Sequence, residues 1–189
     1  MKLHTIETGH FKLDGGAMFG VVPKSLWNPL YPADENNMCS WAMRCLLVED
    51  GNRLVLIDTG MGNKQNDKFF SYYFLHGDHS LDASLKKLGV HKNDITDVFL
   101  THLHFDHCGG AVEWNAEKTG YRSAFKNATY WSTKAHWDWA TNPNDREKAS
   151  FLKENILPIQ ESGQLQFVEG RNFMPGFDVE YVSGHTESK

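Results

Sequence analysis

Polar and apolar residues alternate in Lys2-Leu3-His4-Thr5-Ile6, and Asp14-Gly15-Gly16 is a turn signal, so 2–22 reads as short strands. The apolar stretch 17–22 runs into Pro23, and Pro29 and Pro32 follow around Trp27 and Tyr31. That punctuation predicts a long irregular loop over 24–37. Apolar runs at 38–49 and 53–58 flank Asp50-Gly51-Asn52, a strong hairpin signal. The spacing predicts helices over 68–75 and 80–88. In the second, Ser80 suits the N-cap, Leu81, Leu85 and Leu88 share a face, and Gly89 is the stop.

An apolar run at 95–101 reads as a buried strand, 113–127 as a polar excursion and 128–131 as another short strand. Helices are expected at 133–140 and 145–155. Strands are expected at 164–169 and 177–183, separated by Pro175-Gly176. Strands, then helices, then strands again predict an α/β (α+β) fold with internal sheets. With 189 residues the chain can bury a sizeable core, and one domain over 1–189 is the expectation.

The chemistry concentrates where the 95–101 strand ends, in Thr101-His102-Leu103-His104-Phe105-Asp106-His107-Cys108-Gly109-Gly110. Residues two apart in an extended segment point the same way, so His102, His104 and Asp106 can converge on one side. His107 joins them if the chain turns there into a helix. Gly109 and Gly110 carry no Cβ, so backbone can pass close by. Imidazoles with a carboxylate suit zinc and its first-row neighbours. Upstream, Asp58 ends the 53–58 strand, where it either orients a metal-bound histidine or caps a nearby turn.

The run His102-x-His104-x-Asp106-His107, followed by Gly109-Gly110, resembles the signature of the metallo-β-lactamase superfamily. Leu54-Val55-Leu56-Ile57-Asp58-Thr59-Gly60 is similar to that family's upstream strand ending in aspartate. Ser183-Gly184-His185-Thr186 is similar to the turn that brings in the next histidine. The resemblance implies an αββα sandwich, of which this chain holds the N-terminal part. It implies a first metal on His102, His104 and His185 and a second on Asp106 and His107. Two zinc ions per full-length chain are expected, with Mn2+, Fe2+ or Co2+ also compatible. Asp106 is the catalytic candidate for passing a proton to the leaving oxygen, and Asp58 the residue orienting a ligand. A bridging aspartate and a last histidine, found further on in the family, have no counterpart in these 189 residues. The chain is therefore expected to be a piece of a longer protein, binding metal weakly and inactive alone.

Within the superfamily, that ligand run together with Phe19-Gly20-Val21-Val22-Pro23-Lys24 is most similar to N-acyl homoserine lactonases and phosphotriesterase-like members. The implied function is hydrolysis of a lactone or related ester. A glyoxalase II-type thiolester hydrolase is the alternative, and a non-hydrolytic metal or redox module a further one. Met18 and Phe19, with Trp27 and Tyr31, either wall a substrate pocket or anchor their loop on the core. His136 is either a pocket residue or a partly buried structural histidine. His4, His10, His76, His79 and His91 read as surface residues.

Composition narrows the partners. A net charge of -5 leaves no global basic footprint for nucleic acid. No apolar run approaches the ~18 residues of a membrane span, and residues 1–7 lack the apolar core of a signal peptide. Cys39, Cys45 and Cys108 are an odd count without tight spacing, which argues against a disulfide framework and for a reducing, cytoplasmic setting. Cys108 is expected to pack as a small hydrophobe. The expected partner is a small-molecule substrate, and a homo-oligomer is compatible.

Overall fold

Two long strands carry the N-terminal part of the chain. In the computed structural model, which describes residues 1–189, β1 (Lys2–Asp14) and β2 (Met38–Asp50) pair antiparallel from Lys2 opposite Glu49 to Asp14 opposite Met38. The register shifts once, between Glu7 and His10, where Gly9 takes a φ of 114°. Where short strands are expected over 2–22, one strand of 13 residues forms instead. The apolar stretch after it is helical: α1 (Gly15–Phe19) starts because the Asp14 side chain accepts from Ala17 N, and α2 (Lys24–Trp27) follows. The expected hairpin is present. β3 (Arg53–Ile57) returns along β2 through Gly51, whose φ is 59°.

α3 (Asp67–Ser71) is capped by Asn66 and is shorter than expected. α4 (Leu81–Lys87) is capped by the Ser80 hydroxyl, as the sequence suggests. β4 (Asp97–Phe99) lies parallel to β3. It is shorter than 95–101 because Thr101 gives its N–H to the Asp58 carboxylate and leaves the ladder. α5 (Phe105–Cys108) follows. The polar excursion holds a small hairpin, β5 (Val112–Trp114) with β6 (Tyr121–Ser123). β7 (Thr129–Ser132) rejoins the main sheet, and α6 (Lys134–Thr141) is capped by Thr133.

The helix expected at 145–155 does not form there. The Asn144 side chain accepts from Glu147 N and closes a run of turns, and the Ser150 carbonyl accepts from Phe105 N. α7 (Lys153–Glu161) starts later and carries Pro158 inside it, burying Ile156 and Ile159. β8 (Leu165–Phe167) ends the sheet, and β9 (Asn172–Met174) pairs with β10 (Phe177–Asp178). The strand expected at 177–183 stops at Asp178. Beyond it Val182 and Lys189 exchange two backbone hydrogen bonds, 2.9 and 3.1 Å, closing a loop around His185.

The main sheet has the order β1-β2-β3-β4-β7-β8, antiparallel through β3 and parallel from β3 to β8. Its side chains alternate faces with period two. Leu47, Leu56, Val98 and Tyr130 point into a core shared with Leu85, Trp137, Ile156 and Ile159 from the helices. Val48, Val55, Phe99 and Trp131 point the other way, against Met174, Phe173 and Phe177 of the β9–β10 hairpin. Each such aliphatic or aromatic side chain, once buried, contributes about 1.5–3 kcal/mol. The hairpin covers sheet surface that would otherwise be an apolar patch. No helix is long and apolar enough to cross a membrane. The three cysteines are free and buried.

Candidate metal centre

The site is built where β3 and β4, side by side, both end. Asp58 follows β3 with a φ of 59°, a left-handed conformation that aspartate tolerates better than most residues. This turn aims its carboxylate across to the end of β4. Oδ1 accepts from Thr101 N at 2.9 Å, Oδ2 accepts from Thr101 Oγ1 at 2.8 Å, and His107 Nδ1 lies 2.8 Å from Oδ2. Thr101 Oγ1 is also 3.1 Å from His102 Nδ1. With its proton given to Asp58, the hydroxyl accepts from His102 Nδ1–H. One carboxylate therefore sets the tautomer of two histidines, His107 directly and His102 through Thr101.

His104 ends the extended segment and α5 starts after it, which turns His107 back towards His102, 3.9 Å between ring centroids. Two glycines allow this turn to sit where it does. A Cβ on Gly109 would run into the Met61 carbonyl, and one on Gly110 into that of Thr59. The Lys64 ammonium, 3% exposed, donates to the Gly109 carbonyl and fixes the same turn from below.

His102, His104 and His185 present ring nitrogens that all lie within 4.8 Å of one another, with His104 Nδ1 3.1 Å from His185 Nε2. Nitrogens sharing one zinc stand about 3.3 Å apart, from bonds of about 2.0–2.1 Å at tetrahedral angles. His102 Nε2 and His104 Nε2 are buried without a hydrogen-bond partner. A buried imidazole nitrogen without a partner is expensive unless something binds it, and His102 Nε2, on a ring held by Thr101 at Nδ1, is such a nitrogen. The donor set fits a divalent metal.

Electrostatics favour the same reading. Burial, then the neighbouring rings of His107, His104 and His185, push His102 far below the usual imidazole range. Burial, then His185 and His107, bring His104 down to about 3. Burial also lowers His185. At neutral pH these rings are uncharged lone-pair donors, the form a metal requires. His107 goes the other way: burial pulls it down, but the Asp58 hydrogen bond and the Asp106 charge lift it above its ordinary value. Burial raises the Asp106 carboxyl, whose Oδ2 lies 3.4 Å from His107 Nε2. Asp106 and His107 thus stand side by side next to the ring of His102.

The three weak substrate contacts expected from sequence sit elsewhere. Phe19 stacks on Trp27 at 4.6 Å and tilts against Trp41 at 5.7 Å, anchoring its loop, and Met18 lies on the exposed side of α1. His136 is 1% exposed; its Nε2 accepts from Leu103 N at 2.9 Å and its Nδ1 donates to the Glu187 carbonyl at 2.6 Å. Both ring nitrogens are spent on backbone, so His136 braces the histidine run instead of facing a pocket. The cavity beside His102 and His107, about 520 Å3, is lined instead by Ile57, Phe99, Phe177, Val179 and Val182 among others. Thr101 and Glu147 escaped the sequence reading: a threonine in a strand and a glutamate in an expected helix carry no spacing signal.

A family model described as the metallo-beta-lactamase superfamily matches residues 44–187, which takes in Asp58, the histidine run and His185. The chain belongs to the metallo-beta-lactamase superfamily. It is 26% identical over 196 residues to the N-acyl homoserine lactonase of Bacillus cereus, covering 98% of this chain and 66% of that protein. The crystal structure of a probable metal-dependent hydrolase from Staphylococcus aureus superposes with a TM-score of 0.88 at 30% identity, over 100% of this chain and 69% of that one. A dizinc quorum-quenching lactonase, AidC, shares the fold with a TM-score of 0.73 at 23% identity, over 98% of this chain and 64% of that one. The superfamily chain described here thus spans about 66% of the length of the curated relatives it matches.

Proposed function

We propose that this superfamily member is a metal-dependent hydrolase acting on a lactone or related ester. The observation that carries the reading is the convergence of His102, His104 and His185, with the buried Nε2 of His102 left unpaired. In the proposal these three hold one ion and Asp106 with His107 contribute to a second, zinc being the first choice. A bound divalent ion supplies Lewis acidity and a hydroxide at neutral pH.

The chain's own residues do the rest. Asp58 holds a proton on His107 Nδ1 and, through Thr101, on His102 Nδ1, so both rings turn their Nε2 lone pairs to the site. Asp106, raised by burial, is the group proposed to deliver a proton to the leaving oxygen. The apolar wall of Phe99, Phe177 and Val179 suits an uncharged ester body. The lactone preference rests on the relatives and on that wall.

The test is metal analysis together with a substrate panel of a lactone, a thiolester, a phosphotriester and a β-lactam. Because the relatives are longer, the 189-residue chain and the native gene product are assayed side by side. We expect zinc or another first-row ion to co-purify and the lactone to turn over fastest. A thiolester preference would move the assignment to the glyoxalase II type. Metal binding without turnover of any ester would overturn the hydrolase reading.

A further inference from the structure

His104 raises a question the sequence motif does not answer. Its Nδ1 faces His185 Nε2 at 3.1 Å, so Nδ1 is the nitrogen turned to the trio. Its Nε2 must then carry the proton, and it points the other way, buried and without a partner. His107 has the opposite arrangement, with Nδ1 protonated and held by Asp58. A histidine that binds metal through one nitrogen ordinarily gives the other N–H to a carboxylate, carbonyl or water.

The nearest carboxylate on that side is Glu147, with Oε2 4.0 Å from His104 Nε2 and the side chain 16% exposed. The same oxygen accepts from Thr186 Oγ1 at 2.7 Å and from Trp139 Nε1 at 3.1 Å. Thr186 is 2% exposed and directly follows His185. Trp139 lies on α6, and Glu147 itself is seated by the Asn144 side chain at its N–H, 2.9 Å. The neighbouring Phe151 ring packs on His104 at 4.8 Å. One oxygen thus ties together α6, the 144–151 turn and the loop that presents His185, at the back of the ring whose buried Nε2–H lacks an acceptor.

We propose that Glu147 is a positioning residue for the metal centre: it takes the Nε2–H of His104 and locks the turn carrying His185. The inference rests on the metal-hydrolase reading above. A 4.0 Å separation is longer than a hydrogen bond. Rotation of the Glu147 carboxylate or of the ring would close it. Glu147 then serves the histidine trio as Asp58 serves His107.

The experiment titrates Co2+ into the metal-free chain and reads its visible absorption, comparing the parent with Glu147→Gln, Glu147→Asp and Thr186→Val. Glutamine keeps an acceptor for Thr186 and Trp139 but loses the charge. Aspartate keeps the charge and retracts it from His104. We expect both Glu147 variants to lose about 10–100-fold in Co2+ affinity, the range seen when such outer partners of a ligand are removed. Thr186→Val should lose less, and the metal-free melting temperature should move little in any of them. Affinity within twofold of the parent in whichever Glu147 variants fold, or a loss that merely follows the metal-free melting temperature, overturns the proposal. If neither the 189-residue chain nor the native gene product binds Co2+, the metal-hydrolase reading itself is overturned, so the two failures are told apart.

Discussion

His107 Nδ1 lies 2.8 Å from Asp58 Oδ2, and the two residues, one just after β3 and the other on α5, are 49 positions apart in the chain. The same carboxylate holds Thr101 by its N–H and its hydroxyl, so the ends of β3 and β4 are pinned to each other by the group that also holds His107 and, through Thr101, His102. Stability of the turn and readiness of the site are therefore properties of one side chain.

Substituting Asp58 separates those roles. Asparagine tolerates a φ of 59° and can still accept from Thr101, but it cannot hold the His107 proton as a charged partner does. We expect Asp58→Asn to fold and to lose about 10–100-fold in metal affinity. Asp58→Ala should in addition melt several degrees lower. Chelator competition and thermal unfolding check the two; an Asp58→Asn protein with unchanged affinity would refute the orienting role.

Gly109 gives a steric test. A Cβ there meets the Met61 carbonyl, which is backbone and cannot swing away. We expect Gly109→Ala to cost about 1–3 kcal/mol. In a chain of this size that lowers the melting temperature by about 2–4 °C per kcal/mol. It should also loosen metal binding, because α5 and His107 must shift with the turn.

Lys64 gives a pH test. Burial lowers its ammonium to about 8 from an ordinary 10.5. Between those values the unfolded chain binds more protons than the folded one, so this residue's contribution to stability rises with pH through that window. Below pH 8 the folded state keeps the full cost of a buried charge, on the order of 3 kcal/mol by linkage. Cysteines 45 and 108 have the opposite sign, because burial raises both thiols, Cys108 to about 12. The informative quantity is the difference in urea-unfolding free energy between the parent and Lys64→Met. We expect Lys64→Met to gain on the parent at pH 7 and to lose that advantage by pH 10; a pH-independent difference would contradict the assignment.

Much of the site was legible because its donors are close in sequence. His102, His104, Asp106 and His107 announce themselves by spacing, Asp58 and His185 by resemblance at the ends of apolar runs, and the 50–52 hairpin and Ser80 cap by turn chemistry. What stayed hidden depends on contacts between distant segments. Thr101 reads as one more strand residue until Asp58 is placed beside it. His136 looks free to face a pocket until Leu103 and Glu187 claim both its nitrogens. The 145–155 stretch has helix-forming composition, but Asn144 closes a turn at Glu147 first, and that turn is what brings Glu147 to His104. Phe19 carries the same apolar signal whether it walls a pocket or, as here, stacks on Trp27.

His136→Ala should then behave as a structural lesion. It strands the buried Leu103 N–H, a loss of about 1–3 kcal/mol, and frees the Glu187 carbonyl. Unfolding by urea should show the loss. An unchanged midpoint would return His136 to the list of candidate substrate contacts.

The most direct measurement is the metal-to-protein ratio of His102→Ala, His104→Ala and His185→Ala, each folded by circular dichroism and dialysed against zinc beside the parent. If the trio is a metal centre, each substitution lowers the ratio, because each removes one of three converging nitrogens. Ratios equal to the parent's in all three would mean that no ion is held there, and the hydrolase reading would fall with it.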